Sequence, residues 1–108
     1  MVALDPVLGS EQAKTRPCVV MQRDVANRAG RTTIVIPVTD AKDKSVTVIT
    51  PLLRAGDGGL AKDSVGLCLQ VRAVDRQRMR KKIGFLTAAS VDALSRGLIE
   101  ILDLEKNS

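Results

Sequence analysis

The chain has 108 residues, 44% hydrophobic and 27% charged, with 17 Lys and Arg against 12 Asp and Glu. This composition describes one soluble globular domain with a single modest core, and excludes a disordered chain. With no histidine and only two cysteines, it also excludes a Ser-His-Asp triad, a disulfide framework and an ordinary four-ligand zinc site.

Short β-like runs fill the chain as far as residue 86. Met1 to Leu4 is a brief apolar start, and Asp5 to Lys14 reads as a loop. Pro17 to Gln22 (P-C-V-V-M-Q) and Thr32 to Val38 (T-T-I-V-I-P-V) are rich in β-branched residues and bounded by turn formers, so both are expected strands. Pro37 cannot donate to a ladder, which predicts a strand end or an edge. Ser45 to Thr50 (S-V-T-V-I-T) is a further expected strand, with loops at Asp24 to Gly30 and Asp40 to Lys44. In Ser64 to Arg72 a period of two places Val65, Leu67, Leu69 and Val71 on a core face. Its other face is small and then polar, ending in Gln70 and Arg72. That face is either a groove floor or an ordinary solvent face. Asp75 to Met79 reads as a helical turn and Lys82 to Leu86 as a short strand. Thr87 is placed as an N-cap. Val91, Leu94, Leu98, Ile101 and Leu102 then recur at helical spacing to about Leu104. Strands in sequence without helical crossovers imply an antiparallel sheet. The expected fold is mainly β: a small, curved SH3-like antiparallel barrel packed by one C-terminal helix, forming one domain over 1–108.

Cys18 and Cys68 lie inside apolar runs and read as buried, reduced hydrophobes. No secretory leader and no membrane-length apolar run is legible, which points to the cytoplasm. The charge is uneven. Arg72, Arg76, Arg78, Arg80, Lys81 and Lys82 are opposed by Asp75 alone, and Lys14, Arg16, Arg23, Arg28 and Arg31 by Asp24 alone. Such clusters fit either an anionic partner, nucleic acid or acidic peptide, or a solubilising surface. Phe85 is the one aromatic residue, so a base-stacking platform is hard to build. Gly56 to Ala61 (G-D-G-G-L-A) matches a dinucleotide fingerprint in letters only. It opens no helix and belongs to no βαβ unit.

One combination is more specific than its parts. Leu4 to Pro17 reads L-D-P-V-L-G-S-E-Q-A-K-T-R-P, followed by C-V-V-M-Q-R-D-V-A-N-R, by I-V-I-P-V-T at Ile34 to Thr39, and by K-D-S-V-G-L-C-L-Q-V-R-A-V-D at Lys62 to Asp75. In this order the pieces resemble the MazF/PemK family of toxin endoribonucleases over nearly the whole chain. The resemblance implies a CcdB/PemK-like fold and a homodimer. It implies cleavage of single-stranded RNA, chiefly mRNA, at short sequences without metal or other cofactor, and so inhibition of translation and growth. It also implies a cognate MazE-like antitoxin whose acidic segment occupies the RNA groove. Residue by residue, it assigns catalysis to Arg16 and Thr39 with Glu11. Ser10, Gln12, Gln70 and Arg72 are assigned to the RNA groove. Two positions depart from the family pattern. The family's first strand is usually fuller than the segment from Met1 to Leu4, and a shortened strand is expected to loosen the barrel edge. The residue before Gln70, often acidic in relatives, is here Leu69.

The chemistry suits those side chains. A 2′-hydroxyl must be deprotonated, the phosphorane charge stabilised and the 5′-oxygen protonated, leaving a 2′,3′-cyclic phosphate and a 5′-hydroxyl end. Arginine holds phosphate oxygens with a fork of permanent charge, threonine donates a hydroxyl hydrogen bond, and Glu11 is the carboxylate of the motif available as a base. Two other functions share the fold. A CcdB-like topoisomerase poison depends on a C-terminal aromatic, whereas this sequence ends E-K-N-S. A catalytically inactive RNA- or antitoxin-binding module is the other.

Overall fold

The computed structural model describes residues 6–9, 16–21, 31–78 and 83–103. Among these residues six antiparallel strands form one curled half-barrel sheet: β1 (Pro6–Gly9), β2 (Arg16–Val20), β3 (Thr32–Asp40), β4 (Leu52–Leu53), β5 (Ser64–Gly66) and β6 (Arg72–Asp75). The sheet runs in the order β1-β2-β3-β5-β4, and β6 also pairs with β3. Three single 3-10 turns are η1 (Asp57–Gly59), η2 (Cys68–Gln70) and η3 (Arg76–Arg78). The one α-helix described, α1 (Ala88–Leu102), closes the fold. The expected β architecture with a C-terminal helix is therefore present. Within it β1 forms at V-L between Pro6 and Gly9, where a loop was expected, and Met1 to Leu4 lies outside the described residues, as does the 24–30 loop.

β3 is the spine, because both of its edges are paired. Its buried positions fall on both faces of the sheet, Thr33 and Val35 on one and Ile36 and Val38 on the other. Val19, Ile36, Val38, Leu53, Leu60, Cys68, Leu86 and Leu94 form the main core. Cys18, Val20 and Val35 form a second cluster, with Val74 packed on it. Cys18 pairs with Pro37 and Val19 with Ile36, so neighbouring residues of β2 feed different cores. The two cysteines are buried and in different clusters, as expected of small buried hydrophobes.

The Ser64-to-Arg72 run corrects the sequence expectation. β5 pairs with β3 from Val38↔Gly66 to Asp40↔Ser64, and β6 pairs with it from Thr32↔Asp75 to Val35↔Arg72. Between these two registers three extra residues are looped out as η2. The break falls opposite Pro37, whose carbonyl accepts the Leu67 N–H at 2.9 Å but which has no N–H to return. Pro37 is thus neither at a strand end nor at an edge. It lies inside the central strand, beside a bulge in its neighbour, the other place a sheet tolerates proline. The excursion reverses the side-chain alternation. Cys68 is fully buried and Leu69 is 67% exposed, so Leu69 is not a core residue.

Two further expected strands are absent. Over Ser45 to Thr50 the threonines bond locally instead of to a ladder. Thr47 Oγ1 and Thr50 Oγ1 are 2.7 Å apart, Thr50 Oγ1 donates to the Ser45 carbonyl at 2.8 Å, and the two backbones close a tight turn. Residues 83–86 form no strand and pack against the η1 loop. A Cβ at Gly84 would come within 2.9 Å of the Gly58 carbonyl oxygen.

Helix α1 begins as expected. Thr87 Oγ1 accepts the Ser90 N–H at 3.3 Å. A second cap comes from η1: the Asp57 carboxylate accepts from the Thr87 N–H at 2.9 Å, from Thr87 Oγ1 at 3.2 Å and from Ser90 Oγ. Asp103, in the left-handed conformation, ends the helix by donating its N–H to the Ile99 carbonyl. The helix lies close on the sheet where side chains are absent. A Cβ at Gly66 would sit 2.5 Å from Leu94 Cδ2.

Candidate nucleic-acid interface

Strand register decides which of the candidate residues meet. Arg16 opens β2, with Gly9 as its partner on β1. The β2–β3 pairs are Cys18↔Pro37, Val19↔Ile36 and Val20↔Val35. Carried on by two residues along each strand, this register sets Arg16 level with Thr39. Thr39 is half-buried in β3, with fully buried Val65 as its partner on the other side. Two residues separated by twenty-two others in sequence thus share one level of the sheet.

Arg72 pairs with Val35, four residues along β3 from Thr39 and on the same face of the strand. It is exposed and begins β6. Gln70 ends η2, exposed, with its backbone N–H donated to the Leu67 carbonyl at 2.9 Å. Gln70 and Arg72 therefore do not share one continuous strand, as the period of two implied. Gln70 stands on the bulge and Arg72 on the strand that follows it. Ser10, Glu11 and Gln12 lie outside the described residues.

The sequence reading passed over the charged pair that ends β3. Asp40 Oδ2 lies 3.5 Å from Lys62 Nζ, and Asp40 Oδ1 accepts the Lys42 N–H at 2.9 Å. The Lys42 backbone hydrogen bond holds the Asp40 carboxyl below its ordinary range, opposed by desolvation and helped by the Lys62 and Lys42 charges. Asp40 pairs with Ser64, so it is on the opposite face of β3 from Thr39. Its acid-after-strand position was legible, but its lysine partner, 22 residues away, was not. Leu69 was also missed as a surface residue, because only the bulge brings it out.

Residues 1–102 match the model of the PemK-like, MazF-like toxins of type II toxin-antitoxin systems. The chain belongs to that family. Among PemK/MazF relatives it is 37% identical over 95 residues to Endoribonuclease EndoA of Bacillus subtilis (strain 168), spanning 88% of this chain and 82% of the relative. It is 35% identical over 95 residues to Endoribonuclease MazF of Staphylococcus epidermidis, spanning 88% and 79%. It is therefore a homologue of endoribonucleases. The family fold is equally clear in solved structures. Mycobacterium tuberculosis toxin MazF-mt6 superposes with a TM-score of 0.77 at 22% identity, over 91% of this chain and 96% of that one. A mycobacterial endoribonuclease solved in complex with its cognate antitoxin gives a TM-score of 0.82 at 12% identity, over 96% of each chain. No helix among the described residues is long and apolar enough to cross a membrane.

Proposed function

We propose that this PemK/MazF-family toxin cleaves single-stranded RNA, chiefly mRNA in the cytoplasm, by in-line attack of the 2′-hydroxyl. The reaction requires no metal and leaves 2′,3′-cyclic phosphate and 5′-hydroxyl ends. The observation that carries the reading is the shared level of Arg16 and Thr39 across β2 and β3. A guanidinium and a hydroxyl borne there can serve one phosphate. Arg16 stabilises the charge that develops on the phosphorane. A guanidinium keeps its proton throughout, which makes it a poor proton carrier. Thr39 donates a hydrogen bond to the same phosphate, and Glu11 takes the 2′-proton. Ser10, Gln12, Gln70 and Arg72 hold the flanking nucleotides. The protein acts as a homodimer and is neutralised by a cognate MazE-like antitoxin, in line with the solved complex of its mycobacterial structural neighbour.

The test is digestion of a long single-stranded RNA in EDTA, wild type beside Arg16→Ala and Thr39→Ala, with the fragment ends mapped. Discrete cuts are expected from the wild type. Each variant should lose on the order of 100- to 1000-fold in rate, the cost of removing one donor to a developing charge. Substituting 2′-deoxyribose at a mapped cut should abolish cleavage there. Well-folded wild type that cuts nothing would overturn the nuclease reading in favour of a binding module. Cutting of the deoxy strand would overturn the 2′-hydroxyl mechanism.

A further inference from the structure

The charge of the described molecule is divided in space. At one end of the sheet lie Arg31, Arg72 and Arg76, opposed by Asp75, whose carboxylate accepts the Gln77 N–H at 2.9 Å. Residues 40–63 carry four acids and four bases, and residues 83–103 carry three acids and one base. The basic end is also one continuous piece of structure. The Arg76 N–H donates to the Arg31 carbonyl at 2.8 Å, which ties the start of η3 to the residue before β3. Among the described residues β6 has β3 as its one strand neighbour.

Register puts these cations in line with the cleavage level. Thr39 and Arg16 mark one end of β3. Arg72 is level with Val35, and Arg31 precedes Thr32 at the other end. Arg72 shares Val35's odd-numbered β3 level and hence Thr39's face of the strand, while Arg31 stands one residue before β3, joined to Arg76 by the backbone bond. At about 3.4 Å per residue the steps are each ~14 Å, a reach of ~27 Å. A single strand of several nucleotides spans that distance, within the roughly 4–16 nucleotides that small β-barrels cover. Arg31 and Arg72 are exposed and Arg76 is half-exposed. Phe85 is the lone aromatic, 54% exposed in the segment before α1, so backbone charge rather than stacking suits this surface.

We infer that Arg31 and Arg76 form a phosphate-binding track that continues from the cleavage level along β6. It would hold RNA several nucleotides from the cut without reading its bases. This inference rests on the RNA-cleaving reading above and extends it to substrate length. Cleavage beyond the minimal site is then favoured on long strands, in a salt-dependent way.

The experiment compares wild type, Arg31→Ala/Arg76→Ala and Arg31→Lys/Arg76→Lys. Each is titrated with random-sequence 2′-O-methyl RNA of about 6 and about 16 nucleotides at several salt concentrations. The probes have no 2′-hydroxyl nucleophile and need no known site. The alanine pair should bind the long probe about tenfold more weakly, with a salt slope smaller by about two, and the short probe like wild type. The lysine pair should retain the wild-type slope. Equal binding of the long probe by wild type and the alanine pair would overturn the track. So would a loss equal on both lengths, or a lysine pair as weak as the alanine pair. Cleavage of natural RNA by the wild type is scored separately. Long-strand binding through these arginines without any cutting would overturn the nuclease reading and leave the track standing.

Discussion

Gly97 shows how closely one residue can tie a helix to a bulge. A Cβ at this position would come within 2.6 Å of Cys68 Sγ and 2.8 Å of the Val48 carbonyl oxygen. The first neighbour could turn aside, but the second is backbone held by the Thr47–Thr50 turn. Gly97→Ala gains about 1 kcal/mol of helix propensity. It should still lose a net ~1–3 kcal/mol through overpacking, read as a lower midpoint in urea unfolding with the slope unchanged. An unaltered or raised midpoint would show that the helix can lift away from η2. Cys68 lies beneath this contact, and burial pushes its thiol pKa up. The unfolded chain therefore loses this proton first. The contribution to stability is complete below about pH 9, the ordinary value, and falls as pH rises toward the folded-state pKa. Cys68→Ala should flatten the alkaline side of the stability curve, measured by urea unfolding from pH 8 upward. An equally steep alkaline loss in the variant would assign that slope to other groups.

At the scale of elements, what could be read from the sequence was whatever local patterning decides. Helix α1 is such a case. Its apolar spacing and the Thr87 cap predicted its start, and it runs from Ala88 to Leu102. β3 was also legible, through its β-branched run. The Ser64-to-Arg72 segment was not. Its alternation is genuine in letters, but the missing N–H of Pro37, some thirty residues away, breaks the ladder and loops out Cys68–Gln70. Tertiary context overrode a sound local period, and with it the positions of Leu69 and Gln70. The candidate site divides in the same way. Arg16 and Thr39 were chosen by resemblance, and only register shows them to be level. The second cap of α1 was equally hidden, since nothing local links Asp57 to Thr87 and Ser90. Asp57→Ala should remove three accepted hydrogen bonds from the helix start and cost about 1–3 kcal/mol. Asp57→Asn, which keeps a carbonyl acceptor, should recover part of the loss. Hydrogen exchange of the first turn of α1 would report it directly. Exchange unchanged in Asp57→Ala would mean that Thr87 caps the helix unaided.

The whole molecule is a sheet with apolar clusters on both faces. The main core lies under α1, and Cys18, Val20 and Val35 lie on the other side. Whether this is one cooperative unit depends on β2 and β3, which supply side chains to both. Val19 and Val20 are adjacent in one strand, both below 10% exposure, and face opposite clusters. Removing either side chain weakens the same pair of strands, because the ladder between β2 and β3 cannot open for one face alone. A chain of this length with such a shared spine should unfold in one step. Val19→Ala and Val20→Ala, each costing on the order of 2 kcal/mol, should therefore lower the midpoint of a single urea transition and leave its slope intact. With no Trp or Tyr in the chain, far-ultraviolet dichroism and methyl resonances from the two clusters are the suitable probes. Their curves should coincide in wild type and both variants. A Val20→Ala protein whose second-face methyls melt ahead of the main core would show that the two faces are separately stable, and that β3 can keep one while losing the other.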